Sequence, residues 1–263
     1  MDDLQLLRYS RHLLLDELGP DAQQCFGTAH VLIVGVGGLG SPAAQFLASA
    51  GVGTLTLCDA DTVDLTNLQR QILFAMPDVD TPKVDAAARR LAAINPEVQI
   101  ASLHERVDGA RLEHLVAAAD VVLDCTDNFA TRHAINRAAV KAKRPLVSGA
   151  AIRFDGQIAV FDVRDDASPC YHCLFGEGEE LEETRCATMG VFAPLVGIVG
   201  ATQAAEALKI IAGVGLTLAG RLLLVDARTM QWRELRVPRD PACEVCAAQR
   251  EALPSEPPSR SVG

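Results

Sequence analysis

The sequence predicts an α/β fold, and three observations carry that prediction. Short apolar runs, of the kind buried inside a parallel sheet, alternate with helix-forming segments between residues 30 and 149. A glycine-rich turn joins the first of these runs to the helix that follows it. Beyond residue 157, strand-like segments follow one another through turns, which is typical of antiparallel pairing. Together these features predict a Rossmann-like, mostly parallel sheet that is flanked by helices and extended by antiparallel strands.

The predicted elements fall into three parts of one domain that covers residues 1–247. Residues 1–28 form an N-terminal helical segment, in which leucines at helical spacing predict an amphipathic helix over 3–19. Residues 29–150 carry strands at 30–35, 54–59, 98–103, 121–125 and 145–149, with helices at 39–50, 82–94, 111–119 and 128–143. Residues 151–247 carry strands at 157–161, 221–226 and 231–237 and an apolar helix at 194–212. Proline and serine in residues 248–263 predict a disordered tail.

Composition excludes several classes of protein. The 263 residues are 49% hydrophobic and 22% charged, which is the range of a globular protein and not of a disordered or fibrous one. The net charge is -10 and the sequence contains no basic run, so neither nucleic acid nor an anionic membrane is an expected partner. No signal sequence is readable, and glycine and proline interrupt the uncharged stretch 31–58. We therefore expect a cytoplasmic protein.

The glycine-rich turn fits the pattern of a nucleotide-binding loop. Gly35, Gly37, Gly38 and Gly40 give G-x-G-x-x-G between a predicted strand and a helix, and Asp59 ends the next strand. Missing side chains let backbone N–H groups approach a phosphate at the start of a helix, and a carboxylate at that position can accept from ribose hydroxyls. The alternatives are a tight turn without a ligand and, for Asp59, a helix or turn cap.

Further polar residues suit a triphosphate better than a dinucleotide. Asn67, Arg70 and Lys83 follow the second strand, at the edge where an open α/β sheet binds its ligands. They can bind phosphate oxygens, and Asp127, after the fourth strand, can hold Mg²⁺. Each has an alternative interpretation, which for Arg70 and Lys83 is a surface salt bridge. As a set they indicate a nucleoside triphosphate.

Two Cys-x-x-Cys pairs predict a metal site. Cys170, Cys173, Cys243 and Cys246 supply four sulfur ligands, which suits tetrahedral Zn²⁺ with no open position, hence a structural role. The alternative is four thiols without metal or in disulfides. Cys186 follows an acidic loop, and the neighbouring Arg185 can lower its pKa, so Cys186 is a candidate nucleophile or sulfur relay.

The chain resembles the MoeB/ThiF/HesA family, the bacterial relatives of ubiquitin-activating enzymes. The matching stretches are 7–11, 31–40, 48–53, 65–71, 94–96, 123–128 and 145–156, within a resemblance that runs from about residue 4 to 247. The resemblance implies ATP- and Mg²⁺-dependent adenylation of the C-terminal glycine carboxylate of a small ubiquitin-like sulfur-carrier protein. Pyrophosphate would be released, and the sulfur would serve molybdopterin or thiamine biosynthesis. It also agrees with zinc and implies a homodimer.

Carried over by position, the family pattern implies a role for each site residue. Asp127 becomes the catalytic acid associated with Mg²⁺, Arg70 and Lys83 become catalytic phosphate contacts, and Arg11 reaches into the ATP site of the neighbouring subunit. The nucleotide site then consists of Gly35, Gly37, Gly38, Gly40, Asp59, Asp61, Asn67, Gln69, Arg70, Lys83, Asp127 and Asn128. Residues 29–150 become the nucleotide-binding half of a ThiF-type adenylation domain, and residues 151–247 become the half that binds the carrier and zinc.

Three other functions are weighed against this interpretation. An NAD-dependent oxidoreductase would explain the glycine loop and Asp59 but not Arg11, Arg70 or Lys83. A non-catalytic subunit of a heterodimeric activating enzyme would be expected to lack the phosphate-binding set. A relative that adenylates a carboxylate on a modified tRNA would share the ATP residues, and the negative net charge argues against it. The chain ends soon after Cys246, so a separate sulfur donor is expected.

Overall fold

A computed structural model describes residues 1–177 and 189–247. Its centre is a sheet of eight strands in the order β3-β2-β1-β4-β5-β6-β7-β8. The strands are β1 (His30–Val34), β2 (Thr54–Cys58), β3 (Gln99–Leu103), β4 (Val121–Asp124), β5 (Leu146–Ile152), β6 (Asp155–Phe161), β7 (Arg221–Asp226) and β8 (Gln231–Arg236). Strands β1 to β5 pair in parallel, and β6, β7 and β8 extend the sheet antiparallel. The predicted fold class is confirmed.

Helices cover both faces of this sheet. In the described part of the chain they are α1 (Asp3–Arg8), α2 (Ser10–Leu13), α3 (Gly19–Thr28), α4 (Gly40–Ser49), α5 (Lys83–Ile94), α6 (Gly109–Ala118), α7 (Phe129–Ala142), α8 (Tyr171–Leu174) and α9 (Ala193–Ala212). Alternate residues of β1 point to opposite faces, so Val31 and Ile33 pack with α4, α5 and α9, whereas Leu32 and Val34 pack with α6 and α7. Burial on both sides explains why the parallel strands are continuous apolar runs.

The predicted helix over residues 3–19 is wrong in its extent. It is interrupted at Tyr9 and continues as α2 only to Leu13, and the next helix, α3, begins at Gly19, next to Pro20. The Tyr9 ring is buried against Gly51, where a Cβ would lie 2.5 Å from the tyrosine hydroxyl. That hydroxyl accepts a 2.9 Å hydrogen bond from Asn95 Nδ2. These contacts with distant residues, and not the local helical pattern, therefore determine where the helix is interrupted.

Two further differences concern the second half of the chain. β5 continues three residues beyond its predicted end and forms a hairpin with β6, in which Arg153 takes the left-handed conformation with φ 53°. Helix α9 is long and apolar enough to cross a membrane by length and composition, but half of its most apolar window is buried in the protein, where it packs on β4, β5, β6 and α4. It is the core helix of this face of the sheet. The predicted disordered tail, residues 248–263, lies outside the described residues.

Candidate active site

The glycine loop lies at the carboxyl end of β1 and leads into α4. Gly35 has φ 90°, and a Cβ there would lie 2.7 Å from the carbonyl oxygen of Cys125, at the end of β4. A Cβ at Gly40 would lie 2.0 Å from the carbonyl oxygen of Gly35. Backbone atoms cannot move aside, so both positions require glycine. The loop is therefore pressed against the end of the neighbouring strand.

Gly37 and Gly38 form a shallow cradle between two other segments. A Cβ at Gly38 would lie 3.2 Å from Val196 on α9, and one at Gly37 would lie 3.5 Å from the side-chain nitrogen of Gln71. Gln71 is buried, and its Oε1 has no hydrogen-bond partner within residues 1–177 and 189–247. A cradle without side chains and a buried acceptor without a donor fit a polar ligand such as a nucleotide.

Asp59 binds the loop itself. Its carboxylate accepts hydrogen bonds from the backbone N–H of Val36 (2.7 Å) and of Asp61 (2.9 Å). Asp59 thereby holds β2 against the glycine loop, which is a form of the capping role considered from the sequence. A carboxylate has about four lone-pair sites, so two remain for ribose hydroxyls. The structural and the ligand-binding roles are compatible.

Lys83 is brought to the same edge by an ion pair with Asp61. Its Nζ lies 2.7 Å from the Asp61 carboxylate, and the two side chains are 7% and 68% exposed. A lysine this deeply buried is uncommon unless it is paired. The lysine at the start of α5 is therefore fixed in position, whereas Asp61 faces solvent. Hydrogen bonds thus connect the glycine loop, Asp59, Asp61 and Lys83 in one series.

The segment after β2 presents the other predicted phosphate contacts. A 3₁₀ turn, Leu65–Asn67, is capped by Asp64, and hydrogen bonds from Thr66 lower the pKa of that carboxyl. Asn67 closes the turn by accepting from the Asp64 backbone N–H at 3.2 Å. The half-buried Arg70 donates to the Thr66 carbonyl at 3.2 Å, and Gln69 is exposed. Through the contact between Gln71 and Gly37, this segment lies against the glycine loop.

Asp127 and Asn128 follow β4 at the same edge of the sheet. Asp127 is exposed. Asn128 is the N-cap of α7, and its side chain accepts from the Thr131 backbone N–H at 2.9 Å. The predicted nucleotide residues therefore surround the carboxyl ends of β1, β2 and β4.

The structure adds a buried polar network that the sequence analysis missed. The Asp124 carboxylate accepts from Ser148 Oγ at 2.8 Å and lies 4.0 Å from the guanidinium of Arg132, which also donates to the Gly149 carbonyl at 3.2 Å. Burial alone lowers the pKa of Arg132, but the nearby Asp124 raises it on balance. Gln203 on α9 donates to the Asp124 carbonyl at 2.8 Å. The network joins the end of β4 to the middle of β5 near Asp127, and the aspartate that ends the apolar run 121–124 was its one sequence signal.

Arg11 is not part of the site within its own chain. It lies on α2, two residues after Tyr9, which packs on Gly51 beyond the C-terminal end of α4. The glycine loop is at the other end of that ten-residue helix, about 15 Å away. Arg11 is exposed and forms no ion pair with the residues described here.

The two Cys-x-x-Cys pairs meet as predicted. Their sulfur atoms lie 3.9 Å (Cys170 to Cys173), 3.7 Å (Cys170 to Cys243) and 3.6 Å (Cys173 to Cys246) apart. Four sulfurs at about 2.3 Å from a tetrahedral Zn²⁺ are separated by about 3.8 Å, whereas a disulfide requires about 2.05 Å. A hydrogen bond from the Cys170 thiol helps to lower the pKa of Cys173 to about 4. The geometry fits zinc, which would join α8 to the segment after β8.

The remaining cysteines differ in their surroundings. Burial raises the pKa of Cys58 to about 12 and also raises that of Cys125, so both are inert apolar residues. Cys25 is exposed. Cys186, the candidate nucleophile, lies outside the described residues.

Comparison with known proteins agrees with the geometry. The ThiF family matches residues 9–245. The chain is 48% identical to the molybdopterin-synthase adenylyltransferase of Escherichia coli (94% of this chain, 98% of the relative) and 48% identical to the sulfur carrier protein ThiS adenylyltransferase of the same organism (94% and 97%). The crystal structure of Escherichia coli MccB with MccA-N7isoASN superposes with a TM-score of 0.80 at 25% identity, covering 91% of this chain and 74% of that one. The chain therefore belongs to the ThiF family.

Proposed function

We propose that the chain adenylates the C-terminal glycine carboxylate of a small ubiquitin-like sulfur-carrier protein, using ATP and Mg²⁺ and releasing pyrophosphate. One observation carries the proposal: the hydrogen-bonded series from the glycine loop through Asp59 and Asp61 to the buried Lys83. In this proposal Asp59 is the ribose acceptor and Lys83 the phosphate cation, and the hydrogen-bonded series supports their acting together. The relatives named for molybdopterin synthase and for ThiS give the substrate class.

The chemistry requires positioning more than acid–base catalysis. A carboxylate is already ionised at neutral pH, so no general base is needed. It is a poor nucleophile toward a polyanion, and the negative charge that develops on the leaving pyrophosphate must be stabilised. Lys83, Arg70 and Asn67 bind the phosphates, and Asp127 is the residue that would hold Mg²⁺, which supplies further charge neutralisation. The cradle at Gly37 and Gly38 lets the backbone approach the phosphates.

A homodimer completes the site in this proposal. Arg11 is about one helix length from the glycine loop of its own chain, yet it is exposed and has an unpaired charge in the described residues. The same segment exposes three leucines, Leu4, Leu7 and Leu14, each at least 73% accessible. An exposed apolar surface of this kind is typical of an interface. Dimerisation buries the leucines and brings Arg11 to the phosphates of the partner subunit.

In this proposal the carrier docks at two exposed aromatic residues. Phe154, in the turn between β5 and β6, stacks on Phe192 with ring centroids 5.1 Å apart, and the two are 39% and 40% exposed. The pair lies beyond the carboxyl end of β5, the edge that holds the glycine loop. Phe192 directly precedes α9, and Val196 on the first turn of that helix touches Gly38. An apolar carrier surface can bind there with its glycine tail directed at the phosphates.

ATP–pyrophosphate exchange tests the proposal. Purified protein with Mg²⁺ is assayed with several small carriers that end in Gly-Gly and with the same carriers lacking that tail. We expect exchange with at least one intact carrier, none with the truncated form, and none with an Asp127→Ala variant that still binds ATP. A Phe154→Ser variant should raise the KM for the carrier and leave the affinity for ATP unchanged. ATP binding without exchange for any carrier would overturn the proposal and favour a tRNA carboxylate or a non-catalytic role.

A further inference from the structure

A second group of metal-ligating side chains lies beside the four cysteines. His133 on α7, His172 on α8 and Glu177, three residues after α8, bring one ligand atom each within 4.8 Å of one another. His133 Nδ1 and Glu177 Oε1 are 3.9 Å apart, and the two imidazole rings meet edge to face with centroids 5.7 Å apart. The adenylation chemistry proposed above uses none of these three residues.

The histidine nitrogens are the independent sign that a ligand belongs there. His133 is 6% exposed, and its Nδ1 is buried without a hydrogen-bond partner in the part of the chain that the structure describes. The same holds for Nδ1 of His172. A buried polar atom without a partner costs about 1–3 kcal/mol, so proteins rarely leave one unless an ion or a water completes it. Both histidines of the group therefore carry such a nitrogen, and that of His133 lies 3.9 Å from the Glu177 carboxylate.

We propose that His133, His172 and Glu177 form a second metal site, which takes a divalent first-row transition metal such as Zn²⁺ or Co²⁺. Two imidazoles and one carboxylate are the ligand set of open zinc sites, which keep at least one position for water or another ligand. Ligands at about 2.1 Å from one ion lie about 3.4 Å apart, so the distances between the three ligand atoms must shorten by about an ångström when the ion binds. Glu177 is half exposed, so its carboxylate can make that movement once its ion pair with Arg137 opens.

Arg137 competes for the carboxylate and gives the proposal a specific test. Its guanidinium is paired with the same oxygen of Glu177 that lies nearest to His133. Arg137 is also half exposed, so it can turn into solvent when a cation replaces it. Removing Arg137 should therefore tighten metal binding, because the competing positive charge is lost. If the three residues do not bind metal, removing Arg137 would not increase the affinity of the protein for a metal ion.

Cobalt binding to the intact protein, with its cysteine-bound zinc in place, tests the site. Equilibrium dialysis and visible absorption should show about one Co²⁺ per chain in addition to zinc, without the thiolate charge-transfer band expected of cobalt at the cysteines. His133→Asn and Glu177→Gln should each weaken Co²⁺ binding by at least roughly tenfold, and Arg137→Gln should strengthen it. His114→Asn, which removes an exposed histidine on α6, is the matched control and should change nothing.

Three outcomes would overturn the proposal. They are no second equivalent of metal in the unmodified protein, equal affinity in the Glu177→Gln variant, and a thiolate band that places the cobalt at the cysteines. His133 is buried, so a misfolded His133→Asn variant would be uninformative by itself. Glu177→Gln changes a half-exposed side chain and therefore provides the decisive comparison. Since the assay contains no ATP or carrier, its result is independent of the proposed adenylation.

Discussion

Replacing Lys83 by methionine tests its proposed binding of phosphate separately from its contribution to fold stability. The ammonium lies 2.7 Å from Asp61, but the aspartate is 68% exposed, so losing the pair leaves no buried charge behind. Pairs with such a solvated partner contribute about 0–1 kcal/mol, and methionine in a buried position avoids the desolvation of an ammonium. The free energy of unfolding should therefore change by less than about 1 kcal/mol in either direction.

The effect on catalysis should be much larger. A charged donor aimed at developing negative charge contributes about 3–4 kcal/mol to the transition state, which corresponds to a loss of roughly 10²–10³-fold in rate. The assay pairs initial rates of carrier-dependent ATP–pyrophosphate exchange with urea unfolding of the same preparations. Lys141→Met is the matched control, because Lys141 on α7 forms a 2.6 Å pair with Glu113 on α6, both side chains are exposed, and the change should alter neither quantity.

Two results would refute the reasoning about Lys83. An exchange rate within about tenfold of the unmodified protein would remove Lys83 from the phosphate site. A loss of more than about 3 kcal/mol of stability would mean that the buried lysine is held for the fold, as in buried ion pairs whose disruption is strongly destabilising. The two results are independent, since one is measured on turnover and the other on unfolding.

Three further predictions follow from the site, the metal cluster and a buried acid. Arg11→Ala and Asp127→Ala should each be inactive, and mixing them should restore up to about a quarter of the activity if arginine acts across a dimer; no recovery after subunit exchange would exclude that role. Stripping zinc with a strong chelator should lower the melting temperature by several degrees, as differential scanning calorimetry would detect, because about 10–16 kcal/mol of metal binding is linked to folding; an unchanged curve would exclude a structural metal. Asp78 lies 2.7 Å from Arg90, and although burial raises the pKa of its carboxyl, hydrogen bonds from Arg90 lower it on balance. The stabilisation by the ionised Asp78 carboxylate is complete above the ordinary pKa of about 3.9 and is lost as the pH falls through the lowered pKa. The Asp78→Asn variant should therefore be less stable than the unmodified protein at pH 7, and its free energy of unfolding should depend less on pH in acid. Urea titrations from pH 7 to 2 would measure both effects.

The sequence predicted the parts of the fold that depend on local pattern. β1 reads as an apolar run because both of its faces are buried, and the turn at Gly35 requires glycine for reasons of backbone geometry. The cysteine cluster was also predictable, since spacing within each pair suffices to suggest a metal. What failed was the helix over residues 3–19, because contacts of Tyr9 with Gly51 and Asn95 determine its interruption.

The supporting residues of the site were not predictable in the same way. Arg132 looks like an ordinary helix arginine, and only the fold brings it to the end of β4 and the middle of β5. Gln203 lies in an apolar helix about eighty residues after Asp124, with no spacing signal to join them. The charged residues at the carboxyl edge of the sheet could be named as candidates from the sequence because their chemistry is specific, and their role toward a ligand stays a prediction. The buried residues beneath them, Arg132 and Gln203, could not be named in this way, because they bind carbonyl oxygens that only the fold leaves without a partner.

Helix α9 also determines which fragments of the chain can retain the shape of the glycine loop. Val196 borders the cradle at Gly38, and a Cβ at Gly200 would come within 2.2 Å of the Leu39 carbonyl oxygen at the start of α4. The glycine loop, encoded early in the gene, is therefore shaped by a helix encoded more than one hundred and fifty residues later. A fragment that stops at residue 150 lacks the surface against which its own loop is packed. Recombination between relatives should preserve function only when the loop and α9 are inherited together.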